Sequence, residues 1–277
     1  MPRFTSSDGL SLYFEDEGSG PPVLCLAGLT RNSADFSFVM PHLAGHRVIR
    51  PDYRGRGQSD YAEDFMTYSI LREAQDSIEL LDHLGIGRTT LLGTSRGGLI
   101  SMVLAHGHKA RLAGVVLNDI GPEVATAGLT RIMDYVGKTP PYPDLDSAAE
   151  ALHTGYAAGF PDVPLARWRE QAGFMWAEEP GGGLRIRYDA RLRDAMIGQA
   201  GAAKAPDLWQ LFDALAGLPL GAIRGANSDL LSAETLARMQ ARHDGMITAT
   251  VPGRGHVPFL DEPEALDVIH RLLGEAS

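Results

Sequence analysis

Apolar residues recur along this chain with two different periods, and the switches between them outline an alternation of strands and helices. Short apolar runs bounded by Gly or Pro, at Leu10 to Glu15, Pro22 to Leu26 and Arg47 to Pro51, predict strands. From Ser69 to Leu84 the apolar residues Ile70, Leu71, Ala74, Ile78, Leu81 and Leu84 return at helical spacing, and Gly85 stands where a helix stop is expected. A strand at Thr89 to Leu92 then enters a glycine-serine turn; Leu99 to His106 reads as the helix behind it and Ala113 to Leu117 as the next buried strand. Strands alternating with helices predict a parallel sheet covered on both faces.

The alternation breaks at Gly121. From there to about Ala205 the chain carries scattered aromatics (Tyr135, Tyr142, Tyr156, Phe160, Trp168, Phe174, Trp176), several prolines and Gly181-Gly182-Gly183, which predicts a helical insertion without strands. The pattern resumes with a strand at Leu220 to Arg224, a helix at Ser232 to Arg242, a strand at Met246 to Val251 and a closing helix at Glu264 to Leu273. The expected division is a core of residues 1–120 and 206–277 interrupted by an insertion of 121–205.

Composition narrows the class. With 277 residues, 44% of them hydrophobic, the chain can bury a sizeable core. Its apolar runs are strand-sized, far short of the roughly 20 residues of a membrane span, so no membrane segment is expected. The start Met1-Pro2-Arg3-Phe4-Thr5 lacks a signal peptide's basic and long apolar stretches, which makes a cytoplasmic location the expectation. The single cysteine, Cys25, lies inside an apolar run and reads as core packing. A formal charge of -10 argues against a nucleic-acid partner, because phosphate neutralisation needs clustered Lys and Arg.

The candidate chemistry centres on Gly93-Thr94-Ser95-Arg96-Gly97, placed between a strand and a helix. On so sharp a turn the glycines leave room for strained backbone and close helix packing, and the serine hydroxyl is exposed at the sheet's carboxyl edge. A serine is a poor nucleophile alone; it needs a base, a group that orients the base, and donors for the oxyanion. Of the nine histidines, His256 follows the strand Met246 to Val251 and the turn Pro252-Gly253-Arg254-Gly255, at the strand end where open α/β sheets gather ligands. The spacing of His106 and His108 has no acidic or thiol partners nearby in sequence and reads as a helix end, not a metal site.

For the orienting acid, Asp229 is the favoured candidate: it lies in the loop after Leu220 to Arg224 and preserves the order serine, acid, histidine. Asp119 is the alternative, at the end of the strand Ala113 to Leu117. The oxyanion donors are expected to be the backbone N–H groups of Arg96, after the nucleophile, and Leu29, in the loop opened by Gly28. The run Asp52 to Ser59, dense in turn formers and charge, reads as scaffolding.

Four segments, Leu26 to Thr30, Asp52 to Ser59, Gly93 to Gly97 and Gly253 to Glu262, together resemble the α/β-hydrolase superfamily in order and spacing. The resemblance implies the α/β-hydrolase fold, an eight-stranded, mostly parallel sheet with an inserted helical cap near residues 121 to 205. It also implies Ser95 as nucleophile, His256 as base, Asp229 as acid, and Leu29 and Arg96 as oxyanion donors. Two departures stand out: Ala27-Gly28 replaces the His-Gly of many members, and Asp229 falls one residue later than a common spacing. Epoxide hydrolases and haloalkane dehalogenases are disfavoured, since those members carry an aspartate where Ser95 stands.

The expected function is a serine hydrolase of small carboxylic esters or lactones, acting through an acyl-enzyme on an apolar to moderately polar acyl substrate. The same scaffold also resembles C–C bond hydrolases of aromatic breakdown and cofactor-free oxygenases; a ligand-binding protein without catalysis is the reading of a different class. With no phosphate loop, dinucleotide fingerprint or ligand cluster in the sequence, no metal or organic cofactor is expected.

Overall fold

The computed structural model describes residues 2–202 and 207–276. Eight strands form one sheet: β1 (Arg3–Thr5), β2 (Ser11–Gly18), β3 (Pro22–Leu26), β4 (Arg47–Pro51), β5 (Thr89–Thr94), β6 (Leu112–Asn118), β9 (Leu220–Gly225) and β10 (Ile247–Val251). Their spatial order is β1-β2-β4-β3-β5-β6-β9-β10. The pairs β4–β3, β3–β5, β5–β6, β6–β9 and β9–β10 are parallel, and only the edge pairs β1–β2 and β2–β4 are antiparallel. β1 was not foreseen: three residues with Phe4 alone buried leave no alternation to read.

Two helices show how the sheet is covered. α2 (Arg96–His108) and α9 (Pro263–Glu275) both pack on β6, from opposite sides. A Cβ on Gly114 would meet Leu272 of α9, while the Leu117 side chain, three residues on and therefore on the other face, lies 3.2 Å from where a Cβ on Gly98 of α2 would stand. Each buried apolar side chain of α9, such as Val268, Ile269 and Leu272, contributes about 1.5–3 kcal/mol relative to exposure. α1 (Ile70–His83) follows its predicted span; the Ser69 side chain accepts from Arg72 N–H at its start, and Gly85 takes φ +66° just past its end. α8 (Ala233–Arg242) is capped the same way by Ser232.

Between β6 and β9 lie α3 (Thr126–Tyr135), α4 (Leu145–Tyr156), α5 (Leu165–Met175), α6 (Leu192–Ala202) and α7 (Leu208–Asp213). This segment is helical as expected, with one correction: Trp176–Glu178 (β7) and Leu184–Ile186 (β8) form an antiparallel hairpin around the triple glycine. Three-residue strands separated by Gly181-Gly182-Gly183 carry too little alternation to stand out in sequence. The expected boundary between 205 and 206 lies outside the described residues. Main-chain bonds tie the segment to the core: Gly57 N–H donates to Arg187 O at 2.7 Å and Asp189 N–H to Gly55 O at 2.8 Å.

Candidate active site

The carboxyl ends of β3, β5, β6, β9 and β10 converge, and the sequence-predicted residues lie in the loops that leave them. β5 turns into α2 through Ser95, held at φ 51° and ψ -112°, a region a non-glycine residue occupies only under constraint. The constraint is close packing: a Cβ on Gly97 would fall 1.9 Å from Leu26 O, and one on Gly93 would fall 2.6 Å from Gly97 O. Ser95 N–H donates to Asn118 O at 3.0 Å, fixing the turn against β6. Helix α2 begins at Arg96, three residues before the expected Leu99, because this packing outweighs the poor helix propensity of Gly97-Gly98.

His256 Nε2 lies 2.9 Å from Ser95 Oγ, and its Nδ1 lies 2.7 Å from Asp119 Oδ2. The acid against the imidazole is therefore Asp119, and the expectation for Asp229 is corrected. Asp229 points away and pairs with Arg131 of α3 at 3.2 Å. Asp119 follows β6, the neighbour of β5 in the sheet, in a left-handed conformation (φ 54°) that short polar residues tolerate. The loop expected to carry the acid instead carries donors for it: Gly225 N–H donates to Asp119 Oδ1 at 2.8 Å and Ser228 Oγ to Oδ2 at 2.6 Å. Fully buried, the carboxylate accepts from each of these groups and from the imidazole.

The histidine loop is fixed from two sides. Asn118 Nδ2 donates to Pro258 O at 3.1 Å. Glu262 accepts from Arg254 Nε at 2.7 Å and from the N–H groups of Phe259 and Leu260 at 3.0 and 2.9 Å. Where β9 ends, a Cβ on Gly225 would fall 2.4 Å from Gly255 O, so the close approach of the two loops requires glycine there.

Leu29 lines the same cavity as Ser95, and Arg96 occupies the first position of α2, where a backbone N–H has no acceptor within the helix. The loop that carries Ala27 in place of histidine is held from outside. Tyr53 Oη donates to Ala27 O at 3.1 Å, and Arg56 Nε donates to Leu29 O at 3.0 Å. Arg56 Nη1 also lies 2.8 Å from the Glu73 carboxylate, and Arg96 Nε lies 2.6 Å from that same group; Arg56 and Glu73 are both fully buried. The Asp52 to Ser59 run thus braces the loop of Ala27 to Leu29, and Glu73 joins Arg56 to Arg96. The sequence offers one signal for Glu73, an acid on the buried stripe of α1, next to Ala74 and one turn before Ser77.

A cavity of about 680 Å³ opens over Ser95 and His256. Of the seven aromatics noted between 121 and 205, all but Phe174 line it, and several also build a core: Trp168 stacks on Tyr156 at 5.5 Å and meets Phe160 edge-on at 5.4 Å. The phenols of Tyr135 and Tyr156, protonated near neutral pH, can donate hydrogen bonds within the cavity they line. The charged and amide members of the lining include Arg31, Asp35 and Gln171. Cys25 is buried in the core within β3, where burial pushes its thiol up to about 12. No helix among the described residues is long and apolar enough to cross a membrane.

Comparison with known proteins matches this geometry. A crystallised α/β hydrolase from Novosphingobium aromaticivorans is 45% identical and superimposes with a TM-score of 0.92, covering 99% of this chain and 97% of its own. The 3-hydroxybutyrate-oligomer hydrolase of Cupriavidus necator is 34% identical over 90% of this chain and 87% of its own length. The 2-(acetamidomethylene)succinate hydrolase of Mesorhizobium japonicum is 29% identical over 92% and 88% of the two chains. A family model for the alpha/beta hydrolase fold matches residues 21–160, a span that holds the serine elbow, the oxyanion loop and Asp119. With the sheet order, the serine elbow and these matches in agreement, the chain belongs to the α/β-hydrolase fold family.

Proposed function

We propose that this protein is a serine hydrolase of small carboxylic esters or lactones, with Ser95 as nucleophile, His256 as general base and acid, and Asp119 as the acid that orients the imidazole. The observation that carries the reading is the unbroken relay from Ser95 Oγ through His256 to Asp119 at 2.9 and 2.7 Å, opening into an aromatic cavity. His256 Nε2 accepts the hydroxyl proton as Ser95 Oγ attacks the carbonyl carbon, and the N–H groups of Leu29 and Arg96 receive the oxyanion. Collapse expels the alcohol, protonated by His256; water then enters, gives its proton to His256 and releases the acid. Asp119 keeps the Nδ1 proton in place and stabilises the imidazolium without itself being protonated.

Ester cleavage is favoured over carbon–carbon cleavage or oxygenation by the name of the Cupriavidus necator relative, an oligomer hydrolase similar over most of both chains. A partial match to a haloalkane dehalogenase, 37% identical over 42% of this chain, does not transfer that chemistry, because Ser95 stands at the turn where those members carry aspartate. The test is turnover of 4-nitrophenyl butanoate with fluorophosphonate labelling. Wild-type protein should be labelled at Ser95, and Ser95→Ala should lose activity by about 10⁴-fold or more. Undiminished activity in the variant, or a folded wild-type protein that neither labels nor turns over esters, would exclude the mechanism.

A further inference from the structure

One polar cluster in the cavity has no part in the relay. Arg31 follows the oxyanion loop, its N–H donating to Gly28 O at 3.2 Å, and its Nε donates to Asp35 Oδ1 at 2.7 Å. The Gln171 amide of α5 abuts the pair, its Nε2 lying 3.4 Å from Asp35 Oδ1. Tyr135, Tyr156 and Thr30 line the same cavity as Arg31. A Cβ built on Gly28 would be 3.3 Å from Arg31 Cγ and 4.0 Å from Ser95 Cβ, so this one glycine separates the arginine stem from the nucleophile.

An ion pair inside a cavity walled by aromatic rings is costly to desolvate, and apolar side chains of similar volume would pack there as well or better. What the pair adds is a donor beside an acceptor with zero net charge. A substrate carboxylate would lose to Asp35 what it gains from Arg31, and an alkyl chain would offer no partner to the edge of the pair that faces the cavity; a neutral hydroxyl can accept from Arg31 and donate to Asp35 at once.

We propose that Arg31 and Asp35, with the Tyr135 phenol, form a hydroxyl-recognition subsite beside the nucleophile, and that the substrate is an ester of a short hydroxy acid with its hydroxyl near the scissile carbonyl. This rests on the serine-hydrolase reading and names its substrate class. The aromatic wall takes the remaining alkyl portion, and Arg31, whose stem is separated from Ser95 by Gly28 alone, lines the same cavity as the nucleophile.

The experiment compares 4-nitrophenyl 3-hydroxybutanoate with 4-nitrophenyl butanoate, each kcat/KM divided by that ester's hydroxide-catalysed rate. Wild-type enzyme should prefer the hydroxy ester by about tenfold or more, the scale of a hydrogen bond to a charged group. In Arg31→Met the ratio should fall to about one, and Asp35→Asn, which keeps the side-chain shape, should lower it in part and serves if the first variant does not fold. A wild-type ratio near one, or a ratio unchanged in folded Arg31→Met, overturns the subsite while Ser95 labelling still supports the hydrolase. Absence of both labelling and turnover in wild-type protein overturns the two together.

Discussion

Replacing Asp119 with Asn separates the two acids by function while leaving shape almost unchanged. The carboxylate is fully buried and accepts from Ser228 Oγ, Gly225 N–H and His256 Nδ1 at 2.6, 2.8 and 2.7 Å. An amide at this position supplies one acceptor oxygen and one donor nitrogen for three donors. If the oxygen stays with Gly225, the NH₂ faces both Ser228 and the imidazole, which selects the tautomer with its proton on Nε2. That proton blocks abstraction from Ser95, and kcat should fall by about 10⁴-fold, equivalent to about 5.5 kcal/mol in the barrier. Asp229→Asn breaks only the 3.2 Å pair with the exposed Arg131, so kcat should stay within about twofold of wild type. Ser228→Ala, which removes one donor to the carboxylate, should cost about 1.5 kcal/mol, or roughly tenfold. The assay is steady-state release of 4-nitrophenol from the butanoate ester, with thermal melts to show that each variant is folded. A folded Asp119→Asn enzyme within tenfold of wild type, or an Asp229→Asn enzyme equally impaired, would refute the assignment.

Three further outcomes follow from the same contacts. Glu73→Gln leaves Arg56 and Arg96 sharing a neutral amide in a buried site, so stability should drop by about 3–5 kcal/mol and kcat should fall more than KM rises; an unchanged kcat in the folded variant would show that the oxyanion loop does not depend on this link. Hydrogen bonds from Arg54 hold the Asp8 carboxyl well below the usual range, so its contribution is complete above about pH 4 and is lost as pH falls below that; Asp8→Asn should flatten the acid limb of a stability–pH curve, and an identical limb would contradict the pairing. Cys25, buried and with its thiol pushed up to about 12, should react with Ellman's reagent only after unfolding, and prompt labelling of native protein would contradict its burial.

What could be read from the sequence divides along a physical line. The parallel strands, the helix from Ile70 and the serine turn are local features written in period and glycine placement, and the structure reproduces them within a few residues. His256 was also accessible, because a histidine after a strand and a glycine-rich turn is a local pattern. The partner acid was not: Asp119 and Asp229 both follow parallel strands, and the choice depends on which carboxylate the adjacent β6 and β9 loops aim at the imidazole. The contacts of Glu73 with Arg56 and Arg96 join residues 17 and 23 positions apart, in a loop and two helices, so no window of sequence contains them. β1 and the β7–β8 hairpin were too short to show alternation against turn-rich surroundings.

The stitching of residues 187–189 onto residues 55–57 bears on how this enzyme could be re-engineered. Besides the two main-chain bonds, Tyr68 Oη donates to Asp189 Oδ2 at 2.7 Å, Arg167 of α5 pairs with Asp261 at 2.7 Å, and Asn227 Nδ2 donates to Gly159 O at 3.1 Å. The insertion is therefore not a cassette. A foreign cap spliced between β6 and β9 would have to reproduce the backbone partners of Gly55 and Gly57, immediately beside the arginine that steadies Leu29. A chimera lacking them would disturb the catalytic floor while altering the roof, so changing specificity by point substitution within the native cap is the more conservative route.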